Sequence, residues 1–469
     1  MPVRSLTEAL PAAWTRGEIS VIGLARSGRA VAELLSRAGA KVYASDAGAG
    51  HAVLRATISL APFGVMVEHG GHDLARIAKS VLVVASPGVP PNAPPLRAAR
   101  EAGVPIVGEL EVALQFLPGQ RYIAVTGTNG KTTTTALVHK LLQGLGYDSV
   151  AAGNIGTPLS EIALRAKQPD WIALEASSFQ LHDSPSINPA VGILTNLSAN
   201  HLDRYESVDA YYADKANLFR NASDRSVWVS NADDDVVQAM VRGVTGRQLR
   251  FTIRNGAADG YYDRATDSLV VLGAPLLARG ELSLLGDHNV ANALAASLAV
   301  IGADELHATQ ASRSQIADAL RAFRALEHRI EPAGRYGDVT WINDSKSTNV
   351  ASTLVALKGM RGPTVLLLGG RHKGEPYGAL LDEIRRTVKV VLAYGEAASV
   401  IAADLSRSAR VEVLGSSFEE VLARAREIGE PGDAVLLSPA CSSYDMFDNY
   451  EERGRVFKQL AAELGAARA

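Results

Sequence analysis

The stretch V-T-G-T-N-G-K-T-T-T, Val125 to Thr134, constrains the surrounding chain more than any other. The apolar run Tyr122 to Val125 predicts a short buried strand, Gly127 and Gly130 permit a tight turn, and Lys131-Thr132 opens a helix running to Leu142. Strand, glycine turn and helix in that order aim successive backbone N–H groups into one concavity, at the positive end of the helix dipole. Such a concavity suits phosphate. Gly127, Thr128, Asn129, Gly130, Lys131, Thr132 and Thr133 are therefore candidate nucleotide ligands. Lys131 would reach the outer phosphates and the Thr132 hydroxyl would bind Mg²⁺. Val125 stands where the general G-x-x-x-x-G-K-[ST] pattern carries its first glycine.

A chain of 469 residues is too long for one ordinary domain and predicts about three at ~150 residues each. The net charge of -3, with no basic block, argues against nucleic acid or an anionic membrane as the main partner. The single cysteine, Cys441, excludes an intramolecular disulfide and a Cys-rich metal site, and fits a reducing, cytoplasmic setting. The start M-P-V-R-S-L-T-E-A-L-P-A-A-W places prolines and an acid where a signal peptide needs its apolar core. No run of ~18 apolar residues occurs, so a soluble chain without membrane insertion is expected.

Along the chain, Ile19 to Leu24 predicts a strand running into G-L-A-R-S-G, then an amphipathic helix from Arg29 to Ala38 and a second strand, Lys41 to Ala44, ending near Asp46. This is the outline of a dinucleotide-binding unit with Ala25 at the middle glycine. A nicotinamide-type cofactor, a nucleotide-sugar pocket on the same scaffold and a purely structural turn all fit it. Val81 to Ala85 predicts another buried strand, with Ser86, Pro87 and Gly88 at its carboxyl end, where open α/β sheets bind ligands.

Beyond the glycine loop come G-N-I-G (Gly153 to Gly156) and a strand, Trp171 to Leu174, ending in Glu175 and the polar run Ser177 to Gln180. A strand-end carboxylate in such a domain is placed to hold Mg²⁺. The strand Val191 to Thr195 leads into N-H-L-D-R-Y, where His201 is a plausible ligand of metal or phosphate. Periodicity alone makes Lys215, on a helix from Val208 to Phe219, an exposed lysine, and Asp233 to Asp235 an acidic helix start. The segment G-D-H-N-V-A-N, Gly286 to Asn292, heads an alanine-rich helix with side chains that either cap it or read an adenine edge.

From about Leu326 the strands Val339 to Ile342, Thr364 to Leu368, Val390 to Ala393 and Ala434 to Leu437 predict another doubly wound sheet. Three polar segments gather at its carboxyl edge: N-D-S-K-S-T-N, G-G-R-H-K-G and S-P-A-C-S-S-Y-D.

Together, G-T-N-G-K-T-T-T, G-N-I-G, E-A-S-S-F-Q, N-H-L-D-R-Y, G-D-H-N-V-A-N, N-D-S-K-S-T-N and L-S-P-A-C-S-S-Y-D-M-F-D-N-Y-E-E-R-G resemble, in that order, the Mur ligases of peptidoglycan synthesis. The N-D-S-K-S-T-N and L-S-P-A-C-S-S pair resembles the glutamate-adding branch. The resemblance implies an α/β chain of three domains: a Rossmann-like UDP-substrate domain at 1–118, a central P-loop ATPase at 119–325 and a C-terminal Rossmann-like amino-acid domain at 326–469. It implies a cytoplasmic, monomeric enzyme that uses ATP and two Mg²⁺ ions to join D-glutamate to UDP-N-acetylmuramoyl-L-alanine, with an L-glutamate-specific ligase as the alternative.

The resemblance also assigns roles. Arg26, Ser27, Asp46, Gly71, Asn154, Ser177 and Gln180 would bind the UDP substrate. Lys131 and Thr132 would meet the ATP phosphates, Asn292 the adenine, and Arg329 and Asp344 would complete the ATP site. Thr132, Glu175, His201 and Lys215 would serve the metal ions, with Lys215 as its CO₂-derived carbamate and His201 also a candidate proton acceptor. Lys346, Thr348, Lys373, Ser443 and Tyr450 would bind glutamate. A different activity within the family, or a nucleotide-regulated binding protein without chemistry, are the competing readings.

Overall fold

Unbroken apolar runs become strands that are buried on both faces, which parallel sheets covered by helices require. The computed structural model describes residues 6–201, 204–254, 258–284, 286–324 and 326–466, so Leu202 and Asp203 of the N-H-L-D-R-Y segment lie outside the described residues. Its α/β architecture rests on three sheets dominated by parallel strands.

The first sheet holds β1 (Glu18–Ile22), β2 (Lys41–Asp46), β3 (Met66–His69), β4 (Leu82–Ala85) and β5 (Ile106–Gly108) in the order β3-β2-β1-β4-β5, all parallel. The helix after β1 spans Arg26–Arg37, beginning three residues earlier than its periodicity suggests. Arg26 and Ser27 therefore lie in its first turn. Gly28 is obligatory there, because a Cβ would sit 1.8 Å from the Gly23 carbonyl oxygen.

The second sheet comprises β6 (Tyr122–Thr126), β7 (Ser149–Gly153), β8 (Trp171–Glu175), β9 (Val191–Leu194), β10 (Val227–Asn231), β11 (Arg247–Thr252), β12 (Gly260–Asp263), β13 (Ser268–Val271) and β14 (Ala274–Ala278). Its order is β14-β13-β12-β11-β10-β9-β6-β8-β7. Strands β7 to β12 pair in parallel, and β13 and β14 extend the edge as an antiparallel meander. The register sets Val125 beside Glu175 on one side and Ile193 on the other, so three loops emerge at one edge.

The third sheet, order β15-β16-β20-β17-β18-β19, contains β15 (Glu331–Tyr336), β16 (Val339–Asn343), β17 (Thr364–Gly369), β18 (Val388–Tyr394), β19 (Val411–Val413) and β20 (Ala434–Leu437). Only β15 runs antiparallel.

The chain packs as two compact units. One takes in the chain up to Leu197 together with Asp209–Arg279 and Ala291–Arg321, and so carries the first two sheets; the other takes in Ser198–Val208, Gly280–Val290 and the chain from Ala322 onward. Within the first unit, Arg29 on the helix after β1 forms an ion pair with Glu161 at 2.7 Å, joining elements of the two sheets.

Candidate active site

Strand β6 is buried at every position and delivers the chain to Gly127 (φ 140°) and Gly130 (φ 80°), beyond which the helix Lys131–Gly144 begins. Both glycines are forced by close approach as well as by backbone angle. A Cβ on Gly127 would lie 2.0 Å from Thr195 Oγ1, and one on Gly130 would lie 2.5 Å from Asn292 Oδ1. The end of β9 holds the loop from below. Thr128 N donates to Asn196 O (2.8 Å), Asn129 N to Asn196 Oδ1 (2.9 Å), and Thr195 Oγ1 to Asn129 O (2.6 Å). Lys131 Nζ donates to the carbonyls of Gly127 (2.9 Å) and Thr128 (2.8 Å). Asn292, in the second turn of Asp287–Gly302, accepts from Thr134 Oγ1 at 3.2 Å, which places it against the same helix.

Lys215 is the clearest departure from periodicity. Expected to be exposed, it is 1% exposed, and its Nζ donates to Gly127 O at 2.8 Å. Its partner on the same helical face is the buried Tyr211, over whose ring the ammonium lies at 4.7 Å. Burial pushes the Lys215 amine well below the usual lysine range, and the charge on Lys131 pushes it further, against opposing pulls from Glu175 and Asp214. Two lysines thus share one carbonyl oxygen, and one of them is biased toward a neutral, nucleophilic amine.

Glu175 ends β8 at 1% exposure. Its Oε1 accepts from Asn154 Nδ2 at 2.7 Å, while its Oε2 is buried and has no hydrogen-bond partner among the described residues. A carboxylate with one oxygen fixed and one orphaned is an oxygen donor that fits a hard divalent cation. Another grouping, Glu327, His328 and Glu331, already holds a cation: Lys458 Nζ lies 2.6 Å from Glu327 Oε1 and 2.9 Å from Glu331 Oε1.

A cavity of about 590 Å³ opens at the carboxyl edge of the first sheet. Arg26, Ser27 and Asp46 line it, as do Asn154 and Gln180 from the second sheet's loops. Asp46 stitches two strand ends together, accepting from Leu24 N (2.7 Å) and Gly48 N (2.8 Å). Gly71 is not among the lining residues; its N–H donates to the Asp46 carbonyl at 3.2 Å and it shapes the rim through that contact. Ser177 is likewise set back, forming a reciprocal capping box with Gln180 at the start of Ser178–His182. His72 is a lining residue that sequence reasoning missed, with Nδ1 2.9 Å from Ser45 Oγ. The polar G-G-H turn around it was the available signal.

In the second unit, Asp344 is 3% exposed and accepts from Ser347 Oγ, from Ser438 Oγ at 2.7 Å and from Ile330 N at 3.2 Å. Burial raises its carboxyl to about 6, against the hydrogen bonds of the two serines and the charge of Arg329. The three polar loops of this sheet converge as expected. Lys373 Nζ donates to Thr348 Oγ1 at 3.3 Å, and Lys346 Nζ lies 4.9 Å over the Tyr450 ring. Ser443 is buried beside them in the loop after β20. His201, with a φ of 55°, belongs to this unit, whereas Lys131, Glu175 and Lys215 belong to the other.

Family models match three consecutive stretches: a Mur ligase MurD-like N-terminal domain at 17–108, a Mur ligase middle domain at 125–300 and a Mur ligase glutamate ligase domain at 328–441. The chain belongs to the Mur ligase family. Among Mur ligases, a protein of Acidobacterium capsulatum named UDP-N-acetylmuramoylalanine--D-glutamate ligase is 37% identical over 458 residues, covering 96% of this chain and 97% of its own. One of the same name from Anaeromyxobacter dehalogenans is 40% identical over 463 residues, covering 95% and 97%. Solved Mur ligases share the fold: MurF from Acinetobacter baumannii, at 15% identity, has a TM-score of 0.62 over 99% of this chain and 98% of its own. MurC from Thermotoga maritima, at 19% identity, has a TM-score of 0.60 over 97% and 100%.

Proposed function

We propose that this Mur ligase adds D-glutamate to UDP-N-acetylmuramoyl-L-alanine, splitting ATP to ADP and phosphate, in peptidoglycan precursor synthesis. The observation that carries the reading is the arrangement around the Gly127 carbonyl, where Lys131 and Lys215 meet and Glu175 keeps a buried oxygen unpartnered. Full-length relatives named for D-glutamate addition support the choice of amino acid.

A carboxylate does not condense with an amine in water, because oxide would have to leave. Transfer of the ATP γ-phosphoryl group to the L-alanyl carboxylate gives an acyl phosphate, from which the glutamate amine displaces phosphate. Gly127 to Thr133 would cradle the phosphates, with backbone N–H groups and Lys131 neutralising phosphoryl charge as it develops. Asn292 would meet the adenine, and Arg329 and Asp344 would complete the ATP site. Thr132, Glu175, His201 and carbamylated Lys215 would hold two Mg²⁺ ions, which supply further charge neutralisation on the phosphoryl oxygens. Carbamylation joins the neutral Lys215 amine to CO₂ with release of a proton, and the amine's burial favours its reactive form. Arg26, Ser27, Asp46, Gly71, Asn154, Ser177 and Gln180 would bind or shape the site for the UDP substrate. Lys346, Thr348, Lys373, Ser443 and Tyr450 would bind glutamate. We assign these roles to domains at 1–118, 119–325 and 326–469, in a cytoplasmic monomer.

The test is phosphate release from ATP in the presence of UDP-N-acetylmuramoyl-L-alanine and, separately, D-glutamate, L-glutamate, L-lysine or meso-diaminopimelate. Release that requires both the UDP substrate and D-glutamate is expected. Activity with another amino acid alone would rename the substrate, and nucleotide binding without release under any combination would leave a binding protein.

A further inference from the structure

Arg453 lies in the first turn of the helix Tyr450–Ala466 and is completely buried. A guanidinium withdrawn from water is a poor device for stability, since burial costs several kcal/mol per ion unless every donor is matched. Here the matching is incomplete: Nη1 has no hydrogen-bond partner among the described residues. The remaining donors all go to the loops that follow β16 and β20. Nε donates to Ser345 Oγ (3.0 Å), and Nη2 donates to Ser345 O (2.8 Å) and Cys441 O (3.2 Å).

Those contacts lie next to every residue assigned to glutamate. Ser345 precedes Lys346 and Thr348 in the loop after β16, and its Oγ donates to the Tyr450 carbonyl at 2.8 Å, fixing the helix start beside the Tyr450 ring. Cys441 precedes Ser443 in the loop after β20. The third loop is attached through Ser442, whose backbone exchanges two hydrogen bonds with Arg371 (2.8 and 3.2 Å), two residues before Lys373. That loop also passes against the guanidinium, since a Cβ on Gly370 would lie 3.2 Å from Arg453 Nη1 and 2.2 Å from Ser442 O. Asp344, by contrast, is held by Ser347, Ser438 and Ile330 and takes nothing from Arg453.

We infer that Arg453 is a positioning residue for the amino-acid substrate: it locks three loops and one helix start into the spacing that Lys346, Thr348, Lys373, Ser443 and Tyr450 need. This inference rests on the assignment of those five residues to glutamate. It goes beyond that assignment by naming a side chain that touches no substrate yet sets the pocket's dimensions.

The test compares Arg453→Lys, Arg453→Met, Ser345→Ala and Thr348→Ala in the full-length enzyme, with KM measured separately for glutamate, ATP and the UDP substrate. Removing a buried, hydrogen-bonded charge should raise the glutamate KM roughly tenfold or more in Arg453→Met, with Arg453→Lys intermediate. Ser345→Ala, which deletes a single hydroxyl and should fold even if the arginine variants do not, should raise it about threefold. KM for ATP and for the UDP substrate should stay within about twofold, a separation that general loss of stability would not produce. If Thr348→Ala raises the glutamate KM while Ser345→Ala and any folded arginine variant leave it unchanged, Arg453 is structural and the inference is wrong. If Thr348→Ala also leaves it unchanged, the glutamate assignment itself fails.

Discussion

Lys215 shows how a single residue can contradict the pattern of its own helix. The helix Val208–Ala216 carries two acids, Asp209 and Asp214, and nothing in its spacing separates Lys215 from a solvated lysine. The one local clue is Tyr211, four residues earlier and equally buried, which marks the inward face. What draws the ammonium inward is the Gly127 carbonyl, a contact across 88 positions that no local pattern can encode. Replacing Lys215 by Ala should reduce ligase turnover by about 10²-fold or more, on the scale of removing one group that stabilises developing charge. Short carboxylates such as acetate should partly restore it by supplying the missing negative charge. Intact mass or ¹³CO₂-labelled NMR should report the carbamate directly; an unmodified lysine together with no rescue would dismiss that role.

At the scale of elements, strands with unbroken apolar runs were legible to within a residue or two, because two-sided burial leaves no other composition for them. β6, β8, β17 and β20 are of this kind. The edges were not legible. β13 and β14 turn through Leu272 (φ 48°) and Gly273 (φ 76°), a tight hairpin without the usual Asn-Gly signature, and β15 is broken by proline and glycine. The polar loops of the site could be read because they follow strands of one direction, which puts their carboxyl ends on one edge. The residues that hold those loops, Asn196, Ser438 and Arg453, escaped notice because their partners, Asn129, Asp344 and Ser345, lie far away in sequence.

One short element is sensitive to pH. The helix Glu109–Gln115 is bolted to the second sheet's region by two acids: Glu109 Oε1 accepts from Ser160 N (2.6 Å) and Glu111 Oε2 from Ser186 N (2.7 Å). Burial raises the Glu109 carboxyl to about 7, outweighing its bonds to Ser160, and its Oε2 has no hydrogen-bond partner among the described residues. Because the folded value lies above the unfolded one, the protonated acid contributes its full stability only at low pH, and that contribution is lost as pH rises through about 7. Glu109→Gln keeps an acceptor for Ser160 and cannot ionise. The variant should match the parent near pH 4, below the unfolded value of 4.5, and exceed it by about 3 kcal/mol near pH 9, since each pH unit between the unfolded and folded titrations of the acid is worth ~1.4 kcal/mol. Urea midpoints across that range decide it, and a difference that does not change with pH would place the cost elsewhere.

Across the first unit, the glycine loop proposed for nucleotide phosphate and the cavity proposed for the UDP substrate use different ground. None of the residues lining the cavity comes from the phosphate loop, but Asn154 belongs to both regions: it faces the cavity and its amide holds Glu175 Oε1 at 2.7 Å. This arrangement separates two variants that would otherwise look alike in an activity assay. Lys131→Ala removes a cation that donates to the carbonyls of Gly127 and Thr128 and does not line the cavity, so ATP turnover should fall by about 10²-fold or more while calorimetric affinity for the UDP substrate, measured without ATP, stays within about threefold. Asn154→Ala should lower both, since it loses a wall of the cavity and frees the carboxylate that a Mg²⁺ ion would need held still. Loss of UDP-substrate affinity in Lys131→Ala would mean that the two sites are one. Normal turnover in Asn154→Ala at saturating substrate would mean that Glu175 keeps its place without the amide, and the link between the cavity and the phosphate loop would have to run through another residue.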